Sequence, residues 1–320
     1  MSIFLKLLAS LLLLSSLTSA SDLPERGVSL RGHEHRKLQE VDEAVIVTVI
    51  DSYTNLSELC YTFQTLVRAK GSPNAPVIAF HGIQLLDGQK EALDGCTSRN
   101  VSFEDITDFY ASFPVWYVPQ FEGANYDYPQ SQRFITTWMW DHSALIEFSI
   151  IMRISDSTCL TKDDYNLPGF QDQSGTVQYE TVTSPGAYET GPKYTRNLYT
   201  TAFAHMSNSA LSPKNPEMWA RVATVNSGFN TLPKFDSDFE IVRKDFMKRD
   251  SVRAFHNELT EHQDDFFVWN WGSNTIRYLT LAIYGESHEI STNDVAGIVG
   301  KDFLRGNFLP QLCRDVSQLS

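Results

Sequence analysis

The sequence has 320 residues and a formal net charge of -13 at pH 7, with 42% hydrophobic and 12% aromatic residues. A chain of this length and composition has enough apolar side chains for a sizeable core, so an intrinsically disordered protein is excluded. The acidic balance and the lack of a dense run of Lys and Arg argue against a protein that binds nucleic acid through a basic face. We therefore expect a globular, acidic protein without a nucleic-acid partner.

Residues 1–20 are typical of a secretory signal peptide. Lys6 supplies a positive n-region, LLASLLLLSSL is the apolar run, and Thr18-Ser19-Ala20 offers small residues for cleavage. The apolar run is shorter than the roughly 20 residues that span a bilayer. We therefore expect cleavage, with a short signal anchor as the alternative, and a membrane contact only if this segment is retained. Residues 21–43 are polar and aperiodic, which predicts a disordered stem or leader.

The cysteines are consistent with a protein of the secretory pathway. The four cysteines, Cys60, Cys96, Cys159 and Cys313, predict one or two disulfides in an oxidising compartment, and the sequence does not choose among the three possible pairings. Their wide spacing argues against a zinc site.

Two asparagines, Asn55 and Asn100, begin N-glycosylation sequons. Asn100 lies in a predicted polar loop and is the better candidate. Asn55 is also expected to N-cap a helix, with Glu58 completing a capping box.

Residues 44–320 are predicted to form one α/β domain. AVIVTVI (44–50) and PVIAF (76–80) are typical of strands buried on both faces, and helical spacing of apolar residues lies between them at 56–67. This β-α-β order implies a parallel pair. SFPVWYV (112–118) and FSIIMRI (148–154) predict two further strands.

The rest of the chain continues the pattern. Its predicted elements are helices at 132–148, about 245–260 and 271–281, and a strand at 235–243. Residues 160–195 are rich in Pro, Gly, Asp and Tyr, and so long an irregular segment is usually functional or mobile. We expect a mostly parallel sheet with ligands outside the carboxyl ends of its strands, on a rim formed by residues 51–55, 81–88 and 155–164.

Carboxylates are the candidate functional groups. Asp156 directly follows the FSIIMRI strand, so we place it at this rim; a loop-initiating Asp is the alternative. Asp236, Asp238 and Glu240 alternate with apolar residues and share one face of the predicted strand. Three carboxylates on one face indicate either a solvated sheet face or a site that holds a cation or a polar substrate.

Several segments, read together, resemble the fungal Golgi α-1,2-mannosyltransferases of glycosyltransferase family 15. AVIVTVIDSYTNLSELCYTF (44–63) is similar to the family's opening strand and helix, and FPVWYVP (113–119) resembles its FGLIP strand. Arg133-Phe134 and Arg153-Ile154 fall where the family has RF and then WRVEPD. SDFEIVRKDF (237–246) resembles SNFEIADLDFF, and FFVWNWG (266–272) follows where the family has FFYERWGDAPVH. The resemblance covers roughly residues 44–290.

The resemblance implies a GT-A-like fold, GDP-mannose as donor, Mn²⁺ as cofactor and retaining transfer of mannose to an oligosaccharide or glycoprotein acceptor in the secretory pathway. It assigns the role of candidate catalytic carboxylate to Glu240, which corresponds to the Glu of NFEI. Such a transfer needs a basic oxygen beside an oxocarbenium-like centre, and an ionised Glu on a strand supplies one. We also expect donor or diphosphate binding by Asp156, Arg277 and Arg133, with Asp156 as a shifted metal ligand.

Two positions depart from the family pattern. Ser155-Asp156-Ser157 replaces the family's EPD, and Arg277 replaces its metal-binding His. A guanidinium is not a metal ligand, but it pairs well with a diphosphate. Three interpretations stay open: a metal-independent transferase, a transferase whose metal is held by other acids, and a binding protein on the same scaffold.

A hypothesis from another class rests on the leader. GVSLRGHEHRKLQEVDE (27–43), after a signal peptide, loosely resembles the Arg-x-Leu-Arg leader of oomycete secreted effectors, with Val28 in place of the first Arg. It predicts an exported protein that binds host glycans or proteins without catalysis. The two hypotheses place the protein in the Golgi lumen or outside the cell, respectively.

Overall fold

The computed structural model describes residues 44–69, 74–111, 127–156, 158–160, 177–179, 188–190, 195–229, 231–235, 239–261, 263–291 and 298–299. The strands are β1 (Ala44–Ile50), β2 (Val77–His81), β3 (Val101–Asp105), β4 (Ile150–Arg153), β5 (Cys159–Leu160), β6 (Val177–Tyr179), β7 (Tyr188–Thr190), β8 (Thr231–Pro233), β9 (Glu240–Arg243), β10 (Ile290–Ser291) and β11 (Ile298–Val299). The longer helices are α1 (Leu56–Thr65), α2 (Asp87–Asp94), α3 (Thr107–Ala111), α4 (Asp127–Arg133), α5 (Leu198–Asn208), α6 (Pro216–Phe229), α7 (Lys244–Met247), α8 (Asp250–Glu261), α9 (Gln263–Trp269) and α10 (Ser273–Tyr284). None of these helices is long and apolar enough to cross a membrane.

A seven-stranded mixed sheet organises the domain, in the order β10-β6-β9-β4-β1-β2-β3. The strands β3, β2, β1 and β4 run parallel to one another, and β9 is antiparallel to both β4 and β6. Two-stranded ribbons pair β5 with β11 and β7 with β8. The predicted α/β class with a mostly parallel sheet is confirmed.

Helices cover both faces of the sheet, because each central strand sends successive apolar side chains to opposite faces. On β1, Val45 and Val47 enter a core beneath α8, α9 and α10, whereas Ile46 and Ile50 enter a second core beneath α1. β9 alternates in the same way, with Val242 in the first core and Ile241 in the second. A strand buried on both sides reads as a continuous apolar run, which is why β1, β2 and β4 were predictable.

Helix α1 begins at the predicted N-cap, Asn55, but the Asn55 backbone N–H donates to Asp156 and not to Glu58, so the predicted capping box does not form in this way. The Asn55 side chain accepts hydrogen bonds from the backbone N–H groups of Ser57 and Glu58, at 3.1 and 3.3 Å, and so satisfies two donors that the first helical turn leaves unpaired. The predicted helices over 245–260 and 271–281 correspond to α7, α8 and α10. The segment predicted as helical at 132–148 contains the end of α4, a π-helical turn (Phe134–Trp138) and 3-10 turns up to Leu145.

One strand was not predicted. Residues 101–105 directly follow Asn100, which lies outside any strand as expected, and form β3 at the end of the described sheet, parallel to β2. No strand was predicted there because an end strand with half-buried side chains needs no continuous apolar run. The strand predicted at 112–118 lies outside the described residues.

One disulfide joins Cys60 of α1 to Cys96, just after α2, across 36 residues of sequence. This contact resolves the pairing that the sequence left open. Cys159 is disulfide-bonded as well.

Candidate functional site

The predicted rim exists where β1 and β4 end side by side. Asp51 directly follows β1, and Asp156 lies three residues beyond the end of β4. The two loops are in contact, because the backbone N–H of Asn55 donates to Asp156 Oδ2 at 2.7 Å. Asp156 therefore lies at the sheet rim, where its position after the FSIIMRI strand predicted it.

Asp51 shapes the first loop. Its Oδ1 accepts hydrogen bonds from the backbone N–H of Tyr53, at 2.9 Å, and from the Thr54 hydroxyl, at 3.1 Å. The Thr54 hydroxyl in turn accepts from the Asp51 backbone N–H at 3.0 Å. This closed set of bonds turns the chain sharply after β1 and delivers Asn55 to the N-cap of α1.

A cleft of about 130 Å³ opens at this rim. Its lining combines carboxylates, a guanidinium, phenol rings, an amide and hydroxyls. The lining residues are Val49, Asp51, Tyr53, Thr54, Tyr128, Ser131, Gln132, Ile135, Arg153, Ile154, Ser155 and Asp156. Such a mixture of apolar wall and convergent polar groups is typical of a small-ligand site.

Two tyrosines stand at the cleft, one from each side. Tyr53 lies in the loop after β1 and Tyr128 in α4, with ring centroids 6.1 Å apart in an edge-to-face arrangement. Both rings are partly exposed, at 57% and 37%. Exposed aromatic rings that line a cleft offer apolar faces on which a planar or sugar ring can stack.

Behind the cleft lies a buried ion cluster of Arg153, Glu240 and Arg277. Arg153 and Glu240 are cross-strand partners on β4 and β9, and Arg153 Nε donates to Glu240 Oε1 at 2.7 Å. Arg277, from α10, donates through Nε to Glu240 Oε2 at 3.0 Å. The three residues are only 4%, 2% and 3% exposed.

Two guanidiniums around one carboxylate leave this cluster with one net positive charge. Burial by itself would raise the pKa of Glu240, but the charges and hydrogen bonds of Arg277 and Arg153 outweigh it and lower the pKa to about 2. Glu240 is therefore ionised, and each of its oxygens accepts a charge-assisted hydrogen bond.

Arg277 is enclosed deeper than Arg153. Its guanidinium lies 4.8 Å from the centre of the Trp140 ring, and its Nη1 contacts Met247 Sδ at 2.8 Å. Arg153, by contrast, lines the cleft and also donates through Nη2 to Asn274 Oδ1 at 3.1 Å. The cluster thus runs from the cleft wall into the core, in the order Arg153, Glu240, Arg277.

Arg133 points elsewhere. Its Nη1 donates to Gln130 Oε1 at 3.0 Å, and its guanidinium lies 5.1 Å from the centre of the Phe109 ring. Its neighbours Ser131 and Gln132 line the cleft, whereas Arg133 is 4% exposed and is not among the lining residues. These contacts hold the Arg133 guanidinium inside the fold and not at the cleft.

Of the three carboxylates predicted to share one strand face, Glu240 lies among the described residues. Glu240 is buried against the two arginines, so a solvated sheet face is wrong for this residue. Asp236 and Asp238 lie outside the described residues.

No preformed site for the Mn²⁺ implied by the resemblance lies among the described residues around Asp156. A Mn²⁺ site needs several oxygen or imidazole ligands, and nowhere in the described ranges do three His, Cys, Asp or Glu side chains lie close enough to hold an ion. The acidic cleft residues are Asp51 and Asp156, both already accepting hydrogen bonds from the loop 51–55. A guanidinium, Arg153, lies in the same cleft.

The two sequons differ in environment. Asn55 is exposed but its side-chain oxygen caps α1, as expected. Asn100 is also exposed and immediately precedes β3, with its backbone C=O accepting from the Val77 N–H. Both stay candidate glycosylation sites.

Sequence reasoning placed residues 51–55 on the rim without singling out Asp51 or Tyr53, and it cited Arg153 in the resemblance without assigning it to the site. The sequence did contain a signal for Arg153, because a cation at the end of a buried strand needs a buried anionic partner. Glu240, which lies among apolar residues in a second predicted strand, is such a partner. Tyr53 carried no signal, since a tyrosine in a turn is also an ordinary surface residue.

Neither a comparison with protein-family models nor a search of curated protein sequences finds a match to this chain. Solved structures do share its fold. Core-mannan synthase A from Aspergillus fumigatus, in an Mn/GDP form, superposes with a TM-score of 0.67 over 93% of this chain and 91% of its own, at 18% identity.

The mannosyltransferase Ktr4p from S. cerevisiae superposes with the same TM-score, 0.67, over 88% of this chain and 76% of its own, at 16% identity. Its complex with GDP gives a TM-score of 0.62. These likenesses confirm the fold that the resemblance to glycosyltransferase family 15 implies.

Proposed function

We propose that this chain is a glycosyltransferase that transfers mannose from GDP-mannose, with retention, to a mannoside acceptor in the secretory pathway. The observation that carries the proposal is the cleft at the carboxyl ends of β1 and β4, the place where open α/β sheets bind ligands, within a fold shared with mannosyltransferases. One of those structures contains GDP and another Mn and GDP.

The lining supports a nucleotide-sugar ligand. Tyr53 and Tyr128 present ring faces for a base or sugar, and Asp51 and Asp156 present carboxylate oxygens that accept hydrogen bonds from sugar hydroxyls. Asp156 acts in this proposal as a hydroxyl-binding residue, since the described residues around it do not form a metal site.

The resemblance makes Glu240 the candidate catalytic carboxylate, but Glu240 is buried behind the cleft and is not among the residues that line it. A carboxylate with a pKa of about 2, whose oxygens both accept from guanidiniums, is a weak base and a weak nucleophile. We therefore assign Glu240 the role of positioning Arg153 at the cleft wall, not covalent attack on the sugar. Arg277 holds Glu240 from behind.

The proposed setting is the Golgi lumen or the outside of the cell. Oligosaccharide or glycoprotein acceptors belong to the same proposal.

The experiment is a screen of the purified chain against nucleotide sugars, scored by release of the nucleoside diphosphate. We expect turnover with GDP-mannose, and loss of most of it in Tyr53→Ala, which removes a ring from the cleft. Glu217→Gln, an exposed residue on α6, is the control and should leave turnover unchanged. Absence of both binding and turnover with every nucleotide sugar would contradict the proposal and favour a binding protein on this scaffold.

A further inference from the structure

We propose that Arg153 binds the diphosphate of the donor and supplies the positive charge that stabilises the leaving nucleoside diphosphate. This inference rests on the proposed function and names the group that recognises the phosphates. From the sequence alone we expected Arg277 to bind the diphosphate, whereas we now assign this role to Arg153, which lines the cleft.

The charge of Arg153 suits a diphosphate ligand. A nucleoside diphosphate gains negative charge as it leaves the sugar, so a site for it needs a fixed cation. Arg153 is the only basic residue among the described residues that line the cleft. Glu240 does not cancel its charge, because Arg277 shares the same carboxylate and the buried ion cluster keeps one net positive charge.

The position of Arg153 at the cleft wall also suits this ligand. Arg277 is enclosed by Glu240, Met247 and the Trp140 ring, so a ligand in the cleft meets Arg153 first. Arg153 lies on β4 three residues before Asp156, at the rim where both loops converge. A diphosphate beside Arg153 leaves the two cleft carboxylates for the hydroxyl groups of the ribose and the hexose.

The Arg153 side chain is also preorganised. The Arg153 guanidinium is held through Nε by Glu240, at 2.7 Å, and through Nη2 by Asn274, at 3.1 Å. A cation fixed at two corners by the sheet and by α10 loses little freedom when phosphate oxygens bind, and it needs no reorganisation during the reaction. Glu240 and Asn274 are thus positioning residues for Arg153.

The test is binding of GDP and of guanosine to the full chain, measured calorimetrically in EDTA and again with Mn²⁺. Guanosine lacks the phosphates, so it reports the nucleoside part of the cleft and confirms that each variant is folded. We expect Arg153→Met to weaken GDP binding about 10- to 100-fold and to leave guanosine binding unchanged, because a charge-assisted hydrogen bond is lost. Arg253→Met, an exposed arginine on α8, is the matched control.

A second variant keeps the test informative if Arg153→Met does not fold. Asn274→Ala leaves all charges in place but removes one anchor of the guanidinium, and we expect GDP binding about two- to fivefold weaker with guanosine binding unchanged.

GDP binding that is equally tight in wild type and Arg153→Met, or that requires Mn²⁺, would overturn this inference while the proposed function stands. Failure of the wild type to bind either GDP or guanosine, in EDTA or with Mn²⁺, would overturn the proposed function itself.

Discussion

Glu240 and Arg277 join the sheet to α10 through a buried ion pair, with 3.0 Å between Oε2 and Nε. The carboxylate comes from β9 and also holds Arg153 of β4, so one side chain links two strands and a helix. A buried ion pair of this kind contributes little to stability compared with well-packed apolar residues in its place. Removing one partner, however, leaves the other charges uncompensated in a low-dielectric interior.

We therefore expect Glu240→Gln to lower the free energy of unfolding by about 3–5 kcal/mol, because two guanidiniums stay buried without a counter-charge. Urea denaturation followed by circular dichroism measures this change. Glu217→Gln, with the same chemistry on an exposed helical surface, should change it by less than about 0.5 kcal/mol. Equal stabilities of Glu240→Gln and wild type would show that water reaches the cluster.

A second prediction concerns acid. His256 is buried on α8 with its Nε2 beside the Thr280 hydroxyl, and burial, together with the charge of Arg277, lowers its pKa to about 3. The unfolded chain binds a proton at this residue below its ordinary pKa of 6.5, whereas the folded chain does so only below about 3. The stabilising contribution is thus complete above pH 6.5 and is lost as the pH falls towards 3.

Its maximum slope is about 1.4 kcal/mol per pH unit. Denaturation at a series of pH values should show this loss in wild type and less of it in His256→Gln. His288→Gln, at an exposed position, should keep the wild-type dependence. If both variants follow the wild-type profile, acid sensitivity arises elsewhere in the chain.

The Cys60–Cys96 disulfide ties α1 to the segment after α2. It closes a loop of 36 residues in the unfolded chain, and we expect the double substitution to alanine to cost about 2–4 kcal/mol, since the unfolded ensemble gains freedom. Thermal or urea unfolding without reductant measures the loss. Glu91→Ala, exposed on α2, is a control for the same helix. An unchanged stability would mean that packing of α1 and α2 alone restricts this loop.

The two sequon asparagines give a matched pair for helix capping. Asn55→Ala should destabilise the fold by about 1 kcal/mol, because two N–H groups at the start of α1 lose their acceptor. Asn100→Ala should have a smaller effect, since the described contact of Asn100 is through its backbone C=O. Both variants are compared with wild type after removal of glycans, so that the cap alone is measured. A larger loss for Asn100→Ala would refute the capping role.

Much of the sheet was predictable from local pattern. β1, β2 and β4 are buried on both faces, so their runs of Val, Ile and Phe stand out in the sequence. β3 was not predictable in this way, because an end strand of the sheet exposes part of every residue and tolerates Ser, Glu and Asp.

The location of the site could be predicted from the sequence, but the contacts between its side chains could not. Asp156 at the rim follows from the end of a buried strand. That Glu240 faces Arg153 depends on the antiparallel register between β4 and β9, whose residues are 87 positions apart. No local pattern specifies such a register, and only the folded chain shows which of two arginines reaches the cleft.

Among the described strands, β3 lies at the end of the sheet, and this position has a consequence for self-association. An end strand presents main-chain donors and acceptors that can template a strand from another molecule. Here that strand is only five residues long, finishes with Glu104 and Asp105, and begins directly after Asn100, the first residue of the sequon. A glycan attached to Asn100 would be bulky and hydrated and would block access to the first residues of β3. Its removal would therefore favour edge-to-edge aggregation of otherwise folded molecules.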